Sequence, residues 1–317
     1  MLGFVFKVSF MTSPLRTAVI GVGYLGKYHA DKYALLPQST LVAVVDTHEE
    51  YALSASKKHA VPALSDYREL SGKVDAVSIA TPTVSHATIA TFFLAQGVHV
   101  LLEKPICLTP TEAEGLIQLA KKTQSILQIG HLERFNPALQ HAQMHLQTTP
   151  TFIEARRLCP FKLRARDVDV VIDLMIHDID IIQTIAAAPI RHLHASGTTL
   201  FSTDADIAHA HIEFENGCIA HLTANRVSPV AERKLDLYPE KNYLSVDFQA
   251  ATCTHYTCST QGINEEIYAF ENKDTLLTEI EAFLYAIETR TPPVVSGEAG
   301  LKALETALHI SKLIKGK

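Results

Sequence analysis

Through its first half the chain alternates short, β-branched apolar runs with stretches whose apolar positions recur at helical spacing. Ala18-Val19-Ile20 reads as a buried strand and breaks at once into Gly21, Gly23 and Gly26. A helical pattern follows, with Tyr28, Tyr33, Leu35 and Leu36 apolar. Leu41–Val45 reads as a second strand, and it ends in Asp46. A helix over Glu49–Ala60 and a further helical turn over Asp66–Leu70 come next. Val74–Ala80 is another core strand, stopped by Thr81-Pro82 because proline has no N–H to offer a ladder. A helix to Gln96, with Gly97 as its C-cap, leads to the strand Val98–Leu102 and then to Glu103-Lys104-Pro105. Thr109-Pro110-Thr111-Glu112 combines a capping box with proline at the first helical position, which predicts a helix to Lys122. Ile126–Gly130 closes the alternation. The pattern predicts an α/β unit over 13–131, a doubly wound parallel sheet of Rossmann type with helices on both faces.

The pattern then changes. Asn136-Pro137 is a cap-and-proline start for a helix to about Gln147, Thr151–Cys159 is strand-like, and Asp173–Ala187 is helical. From Ile190 to Ser259 the chain reads as antiparallel strands, with Glu215-Asn216-Gly217 turning a hairpin between Ile207–Phe214 and Cys218–Arg226. Helices over Leu276–Thr289 and Glu298–Lys315 finish the chain. The expectation for 132–317 is an α+β domain with an open, mainly antiparallel sheet, for substrate binding and oligomerisation.

Composition narrows this picture only modestly. The 317 residues are 47% hydrophobic and 20% charged, with a net charge of −6. That balance gives no electrostatic reason to expect nucleic acid. No apolar run approaches the ~18 residues of a membrane span. Five cysteines with no CxxC pair fit reduced thiols and a cytoplasmic location. The apolar residues 1–10 lack a secretion cleavage site and are given no role.

Ligands on such sheets bind beyond the carboxyl ends of the strands, where the pattern collects Gly21–Gly26, Asp46, Thr81-Pro82, Glu103-Lys104 and His131. Strand, glycines and helix suit a dinucleotide: a tight turn, close approach of backbone to pyrophosphate, and a helix N-terminus facing the phosphates. Asp46 falls where a carboxylate binds the adenosine ribose diol, and it favours NAD because it would repel a 2′-phosphate. Lys104 could pair with a substrate hydroxyl; taken alone it reads more simply as a solvated loop lysine. Asp173 and His177, four apart on one helical face, suit a carboxylate orienting a general base, with an acidic helix start as the competing reading. Arg156, Arg157, Arg164 and Arg166, with Lys162, form a basic run without an acid. It suits a substrate phosphate or diphosphate, or equally a solvated loop or an oligomer contact. His141/His145 and His209/His211 lack nearby acids or cysteines at ligand spacing, so no metal is expected.

Assembled, these residues resemble the Gfo/Idh/MocA oxidoreductase family. The resemblance runs from Thr17 to the end and rests on Gly21-Val22-Gly23-Tyr24-Leu25-Gly26, Thr81-Pro82 with His86, Glu103-Lys104-Pro105, Asp173-x-x-x-His177-Asp178 and Gly297-Glu298-Ala299-Gly300-Leu301. It implies Lys104, Asp173 and His177 as the catalytic group, with His177 as acid/base. It implies Gly21, Gly23, Tyr24, Leu25, Gly26, Asp46, Thr81, Pro82, His86, Glu103 and Lys104 about the cofactor. A homodimer or homotetramer is also implied. His131-Leu132-Glu133-Arg134-Phe135-Asn136-Pro137 and Val171–His177 resemble the branch with UDP-N-acetylglucosamine 3-dehydrogenases, which supply 3-oxo sugars for amination, as in lipid A synthesis. That adds Arg134 and Asn136 to the basic run as substrate contacts, and a sugar aminotransferase as functional partner. A free-sugar or cyclitol dehydrogenase and a non-catalytic NAD sensor are the alternatives; the intact Lys104, Asp173 and His177 speak against the sensor.

Overall fold

The computed structural model describes residues 13–161, 169–240, 242–260, 262–271 and 274–316. The chain divides into two compact units. One comprises residues up to His131 together with Asp274–Leu301, the other Leu132–Lys273 together with Lys302–Lys317.

The first unit alternates as its hydrophobic pattern requires: β1 (Leu15–Ile20), α1 (Gly26–Leu35), β2 (Ser39–Val45), α2 (Glu49–His59), β3 (Ala63–Leu64), β4 (Ala76–Ile79), α3 (His86–Leu94), β5 (His99–Glu103), α4 (Pro110–Thr123) and β6 (Leu127–Gly130). All strands pair in parallel, in the order β3-β2-β1-β4-β5-β6. This is the Rossmann order with its reversal beside β1. β4 is buried at every position, as a strand covered on both faces must be. The capping box forms: Thr109 Oγ1 accepts from Glu112 N–H while the Glu112 carboxylate accepts from Thr109 N–H.

The second unit begins with α5 (Pro137–His145), β7 (Phe152–Leu158) and α6 (Ile176–Ala186). It continues through β8 (Ile190–Thr198), β9 (Ile207–Phe214), β10 (Ile219–Asn225), β11 (Glu232–Tyr238), β12 (Asn242–Asp247), β13 (Thr252–Ser259) and β14 (Gly262–Ala269). Their sheet order is β14-β13-β12-β11-β7-β10-β9-β8. Every pair is antiparallel except β7 with β10. β14 is a strand beyond the expected limit at Ser259. Its residues are almost all exposed, so it lacks the apolar alternation that marks a half-buried strand. One face of this sheet (Ile153, Ala155, Leu222, Leu235, Leu237, Leu244, Val246) joins Leu139, Ile179, Ile182 and Ile310 in a single core. The other face carries Tyr238, Tyr243 and Tyr256 stacked at successive centroid spacings of 4.7 Å.

The last two helices do not all belong with the second sheet. α7 (Thr275–Thr289) and the start of α8 (Gly297–Lys315) count with the first unit. Gln128 of β6 donates its side-chain amide to Glu279 O at 3.1 Å and bridges to Ser296, and Lys32 pairs with Asp274. A Cβ on Gly300 would lie 2.8 Å from Ile129 Cγ1, so the glycine lets α8 start flush against β6.

Glu279 is fully buried, and neither of its carboxyl oxygens has a hydrogen-bond partner among the described residues. Burial first, and the charge of Glu103 second, hold its carboxyl well above the ordinary 4.5. The folded protein therefore keeps a proton that the unfolded chain releases near 4.5, and stability falls as pH rises beyond that value. Glu279→Gln removes this penalty. Thermal unfolding should show a larger gain in Tm at about pH 8 than at about pH 5; an equal shift at both would refute a neutral Glu279.

Candidate active site

The carboxyl ends of the first sheet bring Gly21–Gly26, Asp46, Thr81-Pro82, Glu103-Lys104 and His131 to one edge, as expected. The glycines are there because nothing larger fits. A Cβ on Gly21, whose φ is +83°, would sit 2.8 Å from the Ala80 carbonyl, and one on Gly26 would sit 1.7 Å from Gly21 O. α1 starts at Gly26 with no side chain capping its first amides, which leaves them for an anion. Asp46 accepts from Val22 N–H at 2.8 Å and His48 N–H at 2.9 Å. Those bonds fix its carboxylate against the glycine turn with lone pairs to spare for a diol. The residues fit NAD.

Behind the Lys104 main chain lies a buried polar chain. Tyr33 OH meets Ser78 Oγ at 2.9 Å, Ser78 Oγ meets His29 Nδ1 at 3.1 Å, and His29 Nε2 meets Glu103 Oε1 at 3.1 Å. The other Glu103 oxygen accepts from Lys104 N–H at 3.3 Å. Gly130 leaves room for the carboxylate, since a Cβ there would come within 2.9 Å of it. Glu103 thus orients the Lys104 backbone. His86, expected at the cofactor, is buried, with Nδ1 3.0 Å from Pro105 O and Nε2 2.9 Å from Thr81 O. Its ring is committed to main chain and clasps the cis Lys104-Pro105 segment to the Thr81 turn. Burial lowers its pKa, and the two carbonyls oppose that. The only sequence signal for His29 was its place four residues before Tyr33 on the inner face of α1.

In the second unit Asp173 lies in a π-helical turn, Val171–Met175, that runs directly into α6 and His177. Such turns cluster at functional sites. The next residue, Asp178, is buried and receives a bidentate fork from Arg157: Nη2 to Oδ1 at 2.7 Å and Nε to Oδ2 at 3.0 Å. Arg157 Nη1 also donates to Glu133 at 2.8 Å. Paired carboxylates hold this guanidinium in its charged form.

The expected basic patch is therefore not one patch. Arg156 and Arg157 are consecutive on β7 and point to opposite faces of the sheet. Arg156, on the tyrosine face, pairs with Glu232 at 2.7 Å and Asp236 at 3.0 Å. Arg157 is in the core. Apart from Glu154, two residues before Arg156 and 3.4 Å from it, the acids that neutralise both come from distant strands and helices. Arg164 and Arg166 lie outside the described residues. Arg134 contacts Thr184 and stands 3.6 Å from Asp180. Asn136 caps α5 through Ala138 N–H and donates to Phe248 O, which commits its side chain to structure. A cavity of about 800 Å³, lined by His99, Ile126 and Arg290, opens at the amino-terminal edge of the first sheet, away from these residues.

Residues 15–131 match the Gfo/Idh/MocA oxidoreductase model with its NAD-binding Rossmann fold, and 159–245 match the Gfo/Idh/MocA C-terminal domain. UDP-N-acetylglucosamine 3-dehydrogenase of Acidithiobacillus ferrooxidans is 37% identical over 302 residues, covering 93% of this chain and 96% of that protein. The chain belongs to the Gfo/Idh/MocA oxidoreductase family. A solved structure of the same relative superposes with a TM-score of 0.91 over 96% of this chain and 98% of the other. Myo-inositol 2-dehydrogenase of Thermotoga maritima is 25% identical over 96% of this chain and 97% of its own length. The Lactobacillus casei scyllo-inositol dehydrogenase structure, with bound NAD(H), shares the fold at a TM-score of 0.81 and 21% identity, covering 96% and 97%. This family member is an NAD-dependent oxidoreductase. Among the described residues no helix is long and apolar enough to cross a membrane.

Two outcomes follow from these geometries. Asp46→Ala should weaken NAD by about 1–3 kcal/mol, roughly tenfold or more, in calorimetric titration; an unchanged affinity would remove Asp46 from the cofactor site. Arg157→Ala leaves the buried Asp178 carboxylate without its guanidinium fork and should lower unfolding free energy by about 3–5 kcal/mol in denaturant titration.

Proposed function

We propose that this dehydrogenase oxidises the C3 hydroxyl of UDP-N-acetylglucosamine to the 3-oxo nucleotide sugar. The observation that carries the reading is the full-length 37% identity to an enzyme named for that substrate. Bound NAD supplies the acceptor for the hydride that leaves C3. The ammonium of Lys104 polarises the hydroxyl oxygen, and His177 takes its proton, oriented by Asp173. Glu103 and His86 act through the Lys104-Pro105 turn as positioning residues. The basic residues Arg164 and Arg166 are the candidate diphosphate contacts, because Arg156 and Arg157 are already neutralised by acids and Arg134 stands beside Asp180. That same neutralisation favours a second reading, a free sugar or cyclitol as substrate, in line with the inositol relatives. In this reading the enzyme is a cytoplasmic homodimer or homotetramer that works with a sugar aminotransferase and feeds lipopolysaccharide synthesis.

The test is incubation with NAD and UDP-N-acetylglucosamine, with an aminotransferase and amine donor to pull an uphill equilibrium, and mass spectrometry of the product. A product two hydrogens lighter, or its aminated derivative, is expected. Lys104→Met and His177→Ala should each lower turnover by about 10²–10⁴-fold with NAD binding retained. Turnover of inositols or free sugars in place of the nucleotide sugar would select the second reading.

A further inference from the structure

The second unit holds a convergence of thiophilic metal ligands that no spacing in the sequence announces. Cys253 and His255 are two apart on β13, so both side chains leave the same face of the sheet. It is the helix-covered face, since their cross-strand partners Val246 and Leu244 are core residues. α5 packs against β12 and β13 there and brings in His141. One ligand atom from each of His141, Cys253 and His255 lies within 4.8 Å of the other two. The Nε2 atoms of His141 and His255 are shielded from solvent and have no hydrogen-bond partner among the described residues. Buried polar atoms are seldom left so, and here two of them face a buried thiol.

We propose that His141, Cys253 and His255 form a zinc-binding site that fastens α5 to β13. A tetrahedral zinc with N and S ligands at about 2.0–2.3 Å sets its ligand atoms roughly 3.3–3.8 Å apart. Side-chain rotations of about 1 Å therefore close the present cluster to bonding geometry. One thiolate with two imidazoles suits a d¹⁰ cation, and a hard ion such as magnesium finds none of the oxygens it needs. Zinc takes the two imidazoles as neutral ligands and Cys253 as the thiolate, and the thiol proton passes to solvent. His145, one helical turn after His141, donates Nδ1–H to His141 O at 2.8 Å, and its ring lies 4.8 Å from that of His255. It is the neighbour best placed for the fourth position, which water otherwise fills.

The experiment uses the tag-free full-length protein, stripped with a chelator, reloaded with zinc or cobalt(II) and dialysed. One zinc per chain by mass spectrometry, a thiolate-to-cobalt charge-transfer band and a higher Tm with zinc are expected. Cys253→Ser should abolish the cobalt–thiolate band. It and His141→Ala should each weaken zinc by about a hundredfold or more, beyond the 10–100-fold loss typical of an outer-shell change. A far-UV circular dichroism spectrum and a cooperative unfolding transition like those of the zinc-free wild type establish that both variants fold. Failure to hold zinc after dialysis would overturn the proposal. So would full retention in Cys253→Ser, or loss instead in His211→Ala, whose imidazole meets His221 at 2.7 Å on the outer sheet face.

Discussion

A guanidinium in the core of a sheet must find its anions inside the protein, and Arg157 draws three segments of the second unit together to do so. It sits on β7, a central strand flanked by β11 and β10. Its fork grips Asp178 at the start of α6, and its remaining nitrogen holds Glu133 in the turn that precedes α5. Three ionised groups with little water leave no cheap alternative arrangement. The orientation of α6 therefore follows from the strand, and with it the positions of His177, one residue before Asp178, and of the π-helical turn that carries Asp173. A buried charge cluster is a poor source of net stability, but it is a strict specifier of which face of α6 turns inward.

The first unit solves a similar problem by different means. Its glycine turn is set by contacts too close for any side chain, with Gly26 against Gly21 O and Gly21 against Ala80. Asp46 locks to that turn through Val22 N–H, so the glycine turn and the end of β2 are parts of one hydrogen-bonded piece. The Lys104 segment is held from two sides. His86 clasps its main chain, and Glu103, backed by His29, Ser78 and Tyr33, takes its N–H. The neutral Glu279 belongs to the same economy of charge, because a second carboxylate beside Glu103 without a cation would not stay ionised.

Much of this was legible from the chain alone. Apolar runs separated by helical periods determine a parallel sheet; the glycines and Asp46 determine a dinucleotide turn; the Thr109–Glu112 box determines where α4 starts. These are short-range features, in which steric exclusion, capping and side-chain period act over a few residues and leave their mark in sequence. Tertiary structure decided what depends on partners distant in the chain. It split Arg156 from Arg157 onto opposite faces and matched the first to Glu232 and Asp236 and the second to Asp178 and Glu133, all far along the chain. It gave His86 the carbonyls of Pro105 and Thr81 to clasp, returned α7 to the first unit through Gln128 and Glu279, and set His141 beside Cys253 and His255. Charges and lone pairs are satisfied across space rather than along the chain, so the roles of buried polar residues are settled only when the fold closes around them.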